Sequence, residues 1–434
     1  RRLGFGRCRL CLAVPKGEAY SGAEYFSGKS IATSYPNILR KYLQENGIDV
    51  LFITPETLLS EEIQSMMPRI KIGLLVIDEA HCISDWGHDF RLDYGQIGKI
   101  IKGFSSNVPV LATTATANDR VIRDLEAQLG QDVYVSRGPL SRPSLHIQVL
   151  NLETKVDRYA WLYENLKKLP GTGIIYCITK RDCENLANFL NQNGISAKPY
   201  YAGENKSDAN DEAIDAFQHN RIKAIVATTK LGMGYDKGDI SFVIHYQSPA
   251  NIVAWYQQIG RAGRKLQDAY IFLMHGKEDD DINNYFIETA FPSREESTAV
   301  MSAIERGNGL DLSQIENQVN LRNIRIKNTL RFLENEKYVR KELVGRQYCY
   351  YSTAVKFTYN EGHYQEIMEQ RRNELAQMHD LIHTPDCLLK FAVNALDDHT
   401  AENCGKCYNC QNKDIFPGLT LSIRSQDIAS SFIR

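Results

Sequence analysis

From about Asp49 to Met274 the chain alternates short apolar runs with amphipathic, helix-like stretches. The runs include Val50-Leu51-Phe52-Ile53, Leu74-Leu75-Val76-Ile77, Val108-Pro109-Val110-Leu111, Gly173-Ile174-Ile175-Tyr176, Ala224-Ile225-Val226-Ala227 and Phe242-Val243-Ile244-His245. Continuous apolar runs separated by helices predict parallel strands covered on both faces, hence an α/β architecture. Across 137–155 the residues Gly138, Pro139 and Pro143 break the periodicity, which predicts a linker between two α/β domains. After Phe291-Pro292 the pattern turns helical, with Asn308-Gly309 between two helix-like stretches and a third over 321–336. A strand-like pair, 338–344 and 348–352, turns about Gly345-Arg346. Three helices with a two-stranded wing predict a winged helix. A long helix over 364–383 and a cysteine cluster complete the pattern.

Composition narrows the setting. At 434 residues the chain exceeds one compact core. With 43% hydrophobic and 24% charged residues it has ordinary globular usage. No apolar run approaches the ~18 residues that span a bilayer and no secretory signal opens the chain, so an intracellular setting without membrane contact is expected. That means cytoplasm or nucleoid in a bacterium and the nucleus in a eukaryote. A net charge of −2 means that any nucleic-acid contact must come from local basic surfaces. Of ten cysteines, Cys404, Cys407 and Cys410 crowd the C-terminal part, a spacing that reads as metal binding before disulfides.

The candidate chemistry begins at Asp78-Glu79, which ends a buried-type strand at its carboxyl edge, where ligands of open α/β sheets bind. Phosphoryl transfer from ATP needs Mg²⁺ beside the β- and γ-phosphates and a water aligned for in-line attack. Asp78 suits the metal shell and Glu79 the water; a capping acid pair is the plainer reading of these two residues alone. One domain later, Gln257-Gln258-Ile259-Gly260-Arg261-Ala262-Gly263-Arg264 supplies two guanidinium groups at i,i+3 spacing, expected on one side of a helix. Arg261 and Arg264 can stabilise charge on a transferring phosphoryl group if the second domain closes over ATP on the first. An exposed basic helix would not need the glycines, which permit close backbone approach.

Further runs fit this picture. Thr113-Thr114-Ala115-Thr116-Ala117 ends a strand and can relay nucleotide state to bound nucleic acid, and Gly232-Met233-Gly234-Tyr235-Asp236-Lys237 lies in a glycine-rich loop. Ile83-Ser84-Asp85-Trp86-Gly87-His88-Asp89-Phe90-Arg91 follows the acid pair. Trp86 and Phe90 are either core aromatics or a platform that stacks on bases.

The run from Asp78 to Arg91 resembles the DEAH box and aromatic-rich loop of RecQ-family superfamily 2 DNA helicases. Gly232 to Lys237 and Gln258 to Arg264 resemble later motifs of that family, and the likeness extends over about 25–410. The resemblance implies two RecA-like lobes, ATP and Mg²⁺ as cofactors, and ATP-driven 3′-to-5′ unwinding of partly duplex DNA by movement on a single strand. It implies roles in repair and recombination. Catalytic roles are implied for Asp78, Glu79, His81, Gln258, Arg261 and Arg264, and nucleotide contacts for Asp78, Glu79, Gly234, Asp236, Arg261 and Arg264. DNA contacts are implied for Trp86, His88, Asp89, Phe90, Arg91 and Thr116.

Cys387 precedes Cys404-Gly405-Lys406-Cys407-Tyr408-Asn409-Cys410, whose two C-x-x-C steps share a cysteine. Three thiolates can converge on one ion and Cys387, expected on the preceding helix, completes a Cys₄ shell for structural Zn²⁺. This resembles the family's zinc-binding subdomain. Cys8 and Cys11 lack a partner pair. Over 321–332, Arg322, Arg325, Lys327 and Arg331 occur without an acid, either a helix laid on DNA or a solvated helix face. The winged helix precedes the cysteines here, the reverse of the usual family order, so no role is carried over to wing residues.

A phosphate-binding loop G-x-x-x-x-G-K-S/T is expected upstream of Asp78. Ser27-Gly28-Lys29-Ser30 lacks the first glycine and reads instead as a turn before a helix, so the chain is expected to be an N-terminally incomplete copy. The expected divisions are 1–140, a partial first RecA-like domain; 141–290, the second; 291–358, the winged helix; 359–413, the zinc subdomain; and 414–434, a tail that forms no evident domain. Two other functions stay open: a non-catalytic zinc and winged-helix DNA-binding protein on a degenerate motor scaffold, and an RNA helicase of the same superfamily.

Overall fold

The computed structural model of the chain describes residues 29–30, 48–50, 53–66, 72–83, 97–98, 108–114, 118–129, 133–138, 140–203, 207–232, 235–307, 309–345 and 347–433. They fall into two units, one formed by 1–85 and 90–113 and the other by 86–89 and 114–434.

In the first unit β1 (Lys29–Ser30) pairs in parallel with β2 (Ile48–Val50), so Lys29 and Ser30 form a short strand and not the expected turn. Helices α1 (Pro55–Leu58) and α2 (Glu61–Met66) follow, the first opened by Thr54, whose hydroxyl accepts from Thr57 N, and by Pro55, which needs no donor there. Strands β3 (Leu75–Ile77) and β4 (Val110–Ala112) are parallel, with Ile77 opposite Ala112. The expectation of cover on both faces fails here, since Val76 is 52% and Leu111 50% exposed while Ile77 is buried. Alternation along a strand sends these side chains to opposite faces, and among the described residues it is the Ile77 face that is buried.

The second unit is built on a six-stranded parallel sheet of β5 (Leu145–Asn151), β6 (Thr172–Tyr176), β7 (Ala197–Tyr200), β8 (Ala224–Ala227), β9 (Ile240–His245) and β10 (Ala269–His275). Their order is β5-β10-β9-β6-β8-β7, and every pairing is parallel. Strands β6, β8 and β9 are buried along their whole length, which is why they read as unbroken apolar runs. The expected linker is corrected: β5 lies inside 137–155 and forms an edge of this sheet. Its sequence, Leu145-His146-Ile147-Gln148-Val149-Leu150-Asn151, carries polar residues that disguise it.

Helices α3 (Asp119–Leu129), α4 (Lys155–Asn165), α5 (Lys180–Gln192), α6 (Ser207–Gln218), α7 (Ile252–Ile259) and α8 (Lys277–Glu288) belong to this unit. Thr154, Thr179 and Asn251 each accept a backbone N–H at the N-terminus of α4, α5 and α7. One core contains Ile174, Phe217, Ile225, Val243 and Trp255; a second contains Tyr159, Trp161, Phe189, Val226 and Phe272. Arg158 and Asp279, both fully buried, form a bidentate pair at 2.8 and 3.1 Å that ties α4 to α8.

Beyond the sheet come α9 (Arg294–Arg306), β11 (Leu310–Asp311), α10 (Leu312–Glu316), α11 (Asn323–Asn335), β12 (Val339–Val344) and β13 (Gln347–Ser352). The three strands form an antiparallel sheet in the order β11-β13-β12, around a core of Val300, Ile304, Ile315, Ile326, Leu330 and Val339. Helices α12 (Glu361–His383), α13 (Leu388–Asn394) and α14 (Tyr408–Gln411) follow; Leu388, Leu389 and Val393 join the first core.

Residues 414–422 and α15 (Ile423–Ile433) return to the sheet unit, and Phe432 packs between Tyr159 and Phe189 at 5.8 and 5.2 Å between ring centroids. The Glu164 carboxylate accepts from Ser422 N at 2.8 Å, Thr420 Oγ1 at 2.6 Å and Ser425 Oγ at 2.8 Å. These bonds, the Thr420 hydroxyl foremost, pull its pKa down to about 2.

Candidate functional site

The acid pair sits where the sheet ends. Asp78 and Glu79 follow β3 directly, Glu79 has φ +50°, and Ala80–Ile83 form a buried 3₁₀ turn. Thr113, just after β4, fixes this turn in three ways. Its N–H donates to Ile77 O at 2.8 Å, its carbonyl accepts from Ala80 N at 2.9 Å, and its hydroxyl donates to Asp78 Oδ1 at 2.9 Å. One Asp78 oxygen is thus held while its side chain stays accessible, a fixed carboxylate of the kind a divalent cation requires. Behind it the buried His81 places Nδ1 3.4 Å from Glu79 Oε2.

In the second unit the two arginines share a tight loop, and the expected helix is corrected. α7 ends at Ile259 and Gly260 caps it, so Arg261 and Arg264 lie on the turn beyond. Gly263 has φ +67°, and a Cβ there would lie 2.5 Å from Ser144 Oγ, so this glycine is required by conformation and by space. Arg261 is nearly buried; its Nη1 donates to Tyr235 O at 2.9 Å, and its Nε has no hydrogen-bond partner among the described residues. Arg264 is more open and pairs with exposed Asp236 at 2.5 Å. Gln258 reaches back into the sheet, its Oε1 2.8 Å from His245 Nε2. Burial, only partly opposed by that bond, pushes the His245 pKa down to about 4, so the ring is neutral and donates. Tyr176, whose hydroxyl donates to Leu231 O at 2.8 Å, is pushed up to about 12 by burial, with Arg261 pulling the other way.

Cys387, Cys404, Cys407 and Cys410 bring their sulfurs within 4.8 Å of one another. The pairs Cys404–Cys410 and Cys387–Cys407 are 4.0 Å apart, close to the ~3.8 Å edge of a tetrahedron with 2.3 Å zinc–sulfur bonds. The N–H groups of Cys404 and Cys407 point at the sulfurs of Cys387 and Cys404, at 3.2 and 3.3 Å. Cys387 is not on the preceding helix as expected: α12 ends at His383 and Cys387 is the N-cap of α13. The donor set suits a tetrahedral metal ion.

On α11, Arg322 is the N-cap and is exposed, as are Lys327 and Arg331, whereas Arg325 is tied to Glu296 through Nε at 2.8 Å. That pairing gives Arg325 a local partner which the run of basic residues does not reveal. Trp86, His88, Asp89, Phe90, Arg91, Thr116 and Gly234 lie outside the described residues. Sequence reasoning named Thr113 only as part of a strand-end run and not as the hydroxyl that fixes Asp78, and it missed the supporting residues His245, Tyr176 and Arg142. Arg142 donates to Gly260 O at 2.9 Å and Ala262 O at 3.3 Å across a separation of more than a hundred residues, which no local pattern signals.

The helicase conserved C-terminal domain family matches residues 157–265. The ATP phosphoribosyltransferase family matches residues 1–56, of which only 29–30, 48–50 and 53–56 are described. The chain is 35% identical over 260 residues to a probable ATP-dependent DNA helicase RecS of Bacillus subtilis, covering 59% of this chain and 52% of that protein. It is 32% identical over 262 residues to ATP-dependent DNA helicase RecQ of Pasteurella multocida, covering 59% and 40%. Against ATP-dependent DNA helicase RecQ of Bacillus subtilis it is 27% identical over 372 residues, covering 85% and 50%. The chain thus spans about half or less of the length of these relatives. Among the described residues no helix is long and apolar enough to cross a membrane.

Proposed function

We propose, on the premise that this chain belongs to the RecQ-type helicases of superfamily 2, that it is the motor portion of an ATP-dependent DNA helicase moving 3′ to 5′ on single-stranded DNA. The observation that carries the reading is the acid pair at a parallel strand end, with Asp78 fixed by Thr113, in a chain that also presents Arg261 and Arg264 on one tight loop. In this reading Asp78 holds the Mg²⁺ of MgATP, Glu79 orients the attacking water, and His81 steadies Glu79 from behind. Arg261 and Arg264 would stabilise charge on the transferring phosphoryl group, and the open Arg264 is the better placed to shed its partner Asp236. Gln258, held by neutral His245, would sense the nucleotide from the last turn of α7, just before that loop.

The helical module with its hairpin is read as a winged helix that lays exposed Arg322, Lys327 and Arg331 against DNA phosphates. Zinc in the Cys₄ site would anchor α13 and α14 on the sheet unit, stabilising a subdomain with little core of its own. Repair or recombination DNA inside the cell is the setting this reading implies. The test is ATP hydrolysis with and without single-stranded DNA, and displacement of duplexes bearing a 3′ or a 5′ tail. DNA-dependent hydrolysis lost in Glu79→Gln, with displacement from 3′ tails only, supports the reading. Hydrolysis stimulated by RNA in preference to DNA would favour an RNA helicase instead. DNA binding without ATP binding would favour a non-catalytic DNA-binding protein.

A further inference from the structure

We propose that Arg142 is the positioning residue of the Arg261–Arg264 loop, and that the Asp397-Asp398 turn clamps the segment that delivers it. The proposal rests on the reading that this loop serves ATP hydrolysis. Arg142 Nη2 donates to the carbonyls of Gly260 at 2.9 Å and Ala262 at 3.3 Å, the two residues flanking Arg261. These carbonyls lie at the C-terminal end of α7, where a cation also complements the helix dipole. Gly260 O is shared with Arg264 Nε at 3.4 Å, so one carbonyl links the positioning cation to the more exposed arginine.

The segment around Arg142 forms the floor of the loop. Ser144 packs under Gly263, Ser144 O accepts from Ala269 N at 2.8 Å, and Tyr256 on α7 donates its hydroxyl to Leu140 O. The segment is in turn held by the stretch between Cys387 and Cys404. Asp398 Oδ2 accepts from Leu140 N at 3.1 Å, Asp397 O from Arg137 Nη1 at 3.4 Å, and Asp397 Oδ2 from Asp119 N at 2.7 Å. Beside the loop lies an open cavity of about 640 Å³ lined by Arg142, Ser144, Gly263, Arg264, Leu266 and Lys406. Packing therefore leaves Arg264 free on that side, and directed hydrogen bonds must fix the loop. A charge-assisted pair of bonds from one guanidinium does this, and no neutral side chain of that reach supplies the same geometry.

The experiment compares Arg142→Ala, Arg142→Lys, Asp398→Ala and Arg264→Ala in the full-length gene product. DNA-stimulated ATP turnover is read beside deuterium exchange of the 260–264 amides. In Arg142→Ala, kcat is expected to fall about 10- to 100-fold with KM for ATP and DNA affinity nearly unchanged, the signature of misplaced catalytic groups. Exchange at 260–264 should quicken while that of β9 stays as in the wild type. Arg142→Lys should recover part of both effects, and Asp398→Ala should reproduce them weakly. Unchanged exchange at 260–264 in Arg142→Ala overturns the proposal, as does quickened exchange that leaves kcat intact while Arg264→Ala abolishes it. If Arg264→Ala leaves turnover intact, the role of the loop in hydrolysis fails, and exchange alone decides whether Arg142 positions it. Should Arg142→Ala not fold, Arg142→Lys and Asp398→Ala carry the same two readouts.

Discussion

Replacing Gly263 with alanine tests whether the arginine loop owes its shape to the strand that supports it. At φ +67° an alanine bears the left-handed penalty of about 1–2 kcal/mol. Its Cβ would also lie 2.5 Å from Ser144 Oγ, 3.0 Å from Ser144 Cβ and 3.1 Å from Ala269 Cβ. The hydroxyl can rotate away, but the two β-carbons are fixed by the backbones at the starts of β5 and β10. Overpacking of this kind costs about 1–3 kcal/mol, for a total of about 2–5 kcal/mol. Urea denaturation, followed by the circular dichroism of the sheet unit, measures the loss. Adding Ser144→Gly removes one β-carbon and should return roughly 1 kcal/mol or more while leaving the backbone penalty in place. ATP turnover should fall in Gly263→Ala because Arg264 is displaced with the loop. A midpoint shift worth under about 0.5 kcal/mol, or no recovery on adding Ser144→Gly, would refute the reasoning.

Three further outcomes follow from the structure. Asp279→Asn leaves buried Arg158 with only the longer contact to Glu278, at 3.6 Å, as an ion pair and should cost about 3 kcal/mol, most of it regained in the double variant Arg158→Met, Asp279→Leu; denaturation of the single and double variants checks this. Glu164 has a folded pKa of about 2, below its unfolded value, so its stabilisation of the tail is complete above about pH 4.5 and is lost as pH falls toward 2. Glu164→Gln should remove that part of the acid dependence, read as exchange of the α15 amides from pH 5 to about 2. Protein purified without chelator should carry stoichiometric zinc by elemental analysis, and Cys404→Ser should lose both the metal and thermal stability of the second unit.

Much of the architecture was legible because buried parallel strands are apolar throughout. β6, β8 and β9 stand out in the sequence for that reason. β5 did not, because its edge position tolerates His146, Gln148 and Asn151, and because Pro139 and Pro143 precede it. The tail escaped notice for a different reason: its anchors are Ser422, Ser425 and Thr420 on Glu164, polar contacts that have no periodicity. Within the candidate site, Asp78, Glu79, Arg261, Arg264 and the four cysteines were legible from type and spacing. Their supports were not. Thr113, His245 and Arg142 are set by contacts between distant segments, and the end of α7 at Gly260 depends on a turn whose left-handed glycine lies three residues further on.

The most direct test of the central claim is the rate of ATP hydrolysis by the full-length gene product, measured with single-stranded DNA and without it, for the wild type and for Glu79→Gln. The account predicts hydrolysis that depends on DNA and falls to background in Glu79→Gln with ATP still bound. Hydrolysis indifferent to DNA, or undiminished in Glu79→Gln, would contradict it.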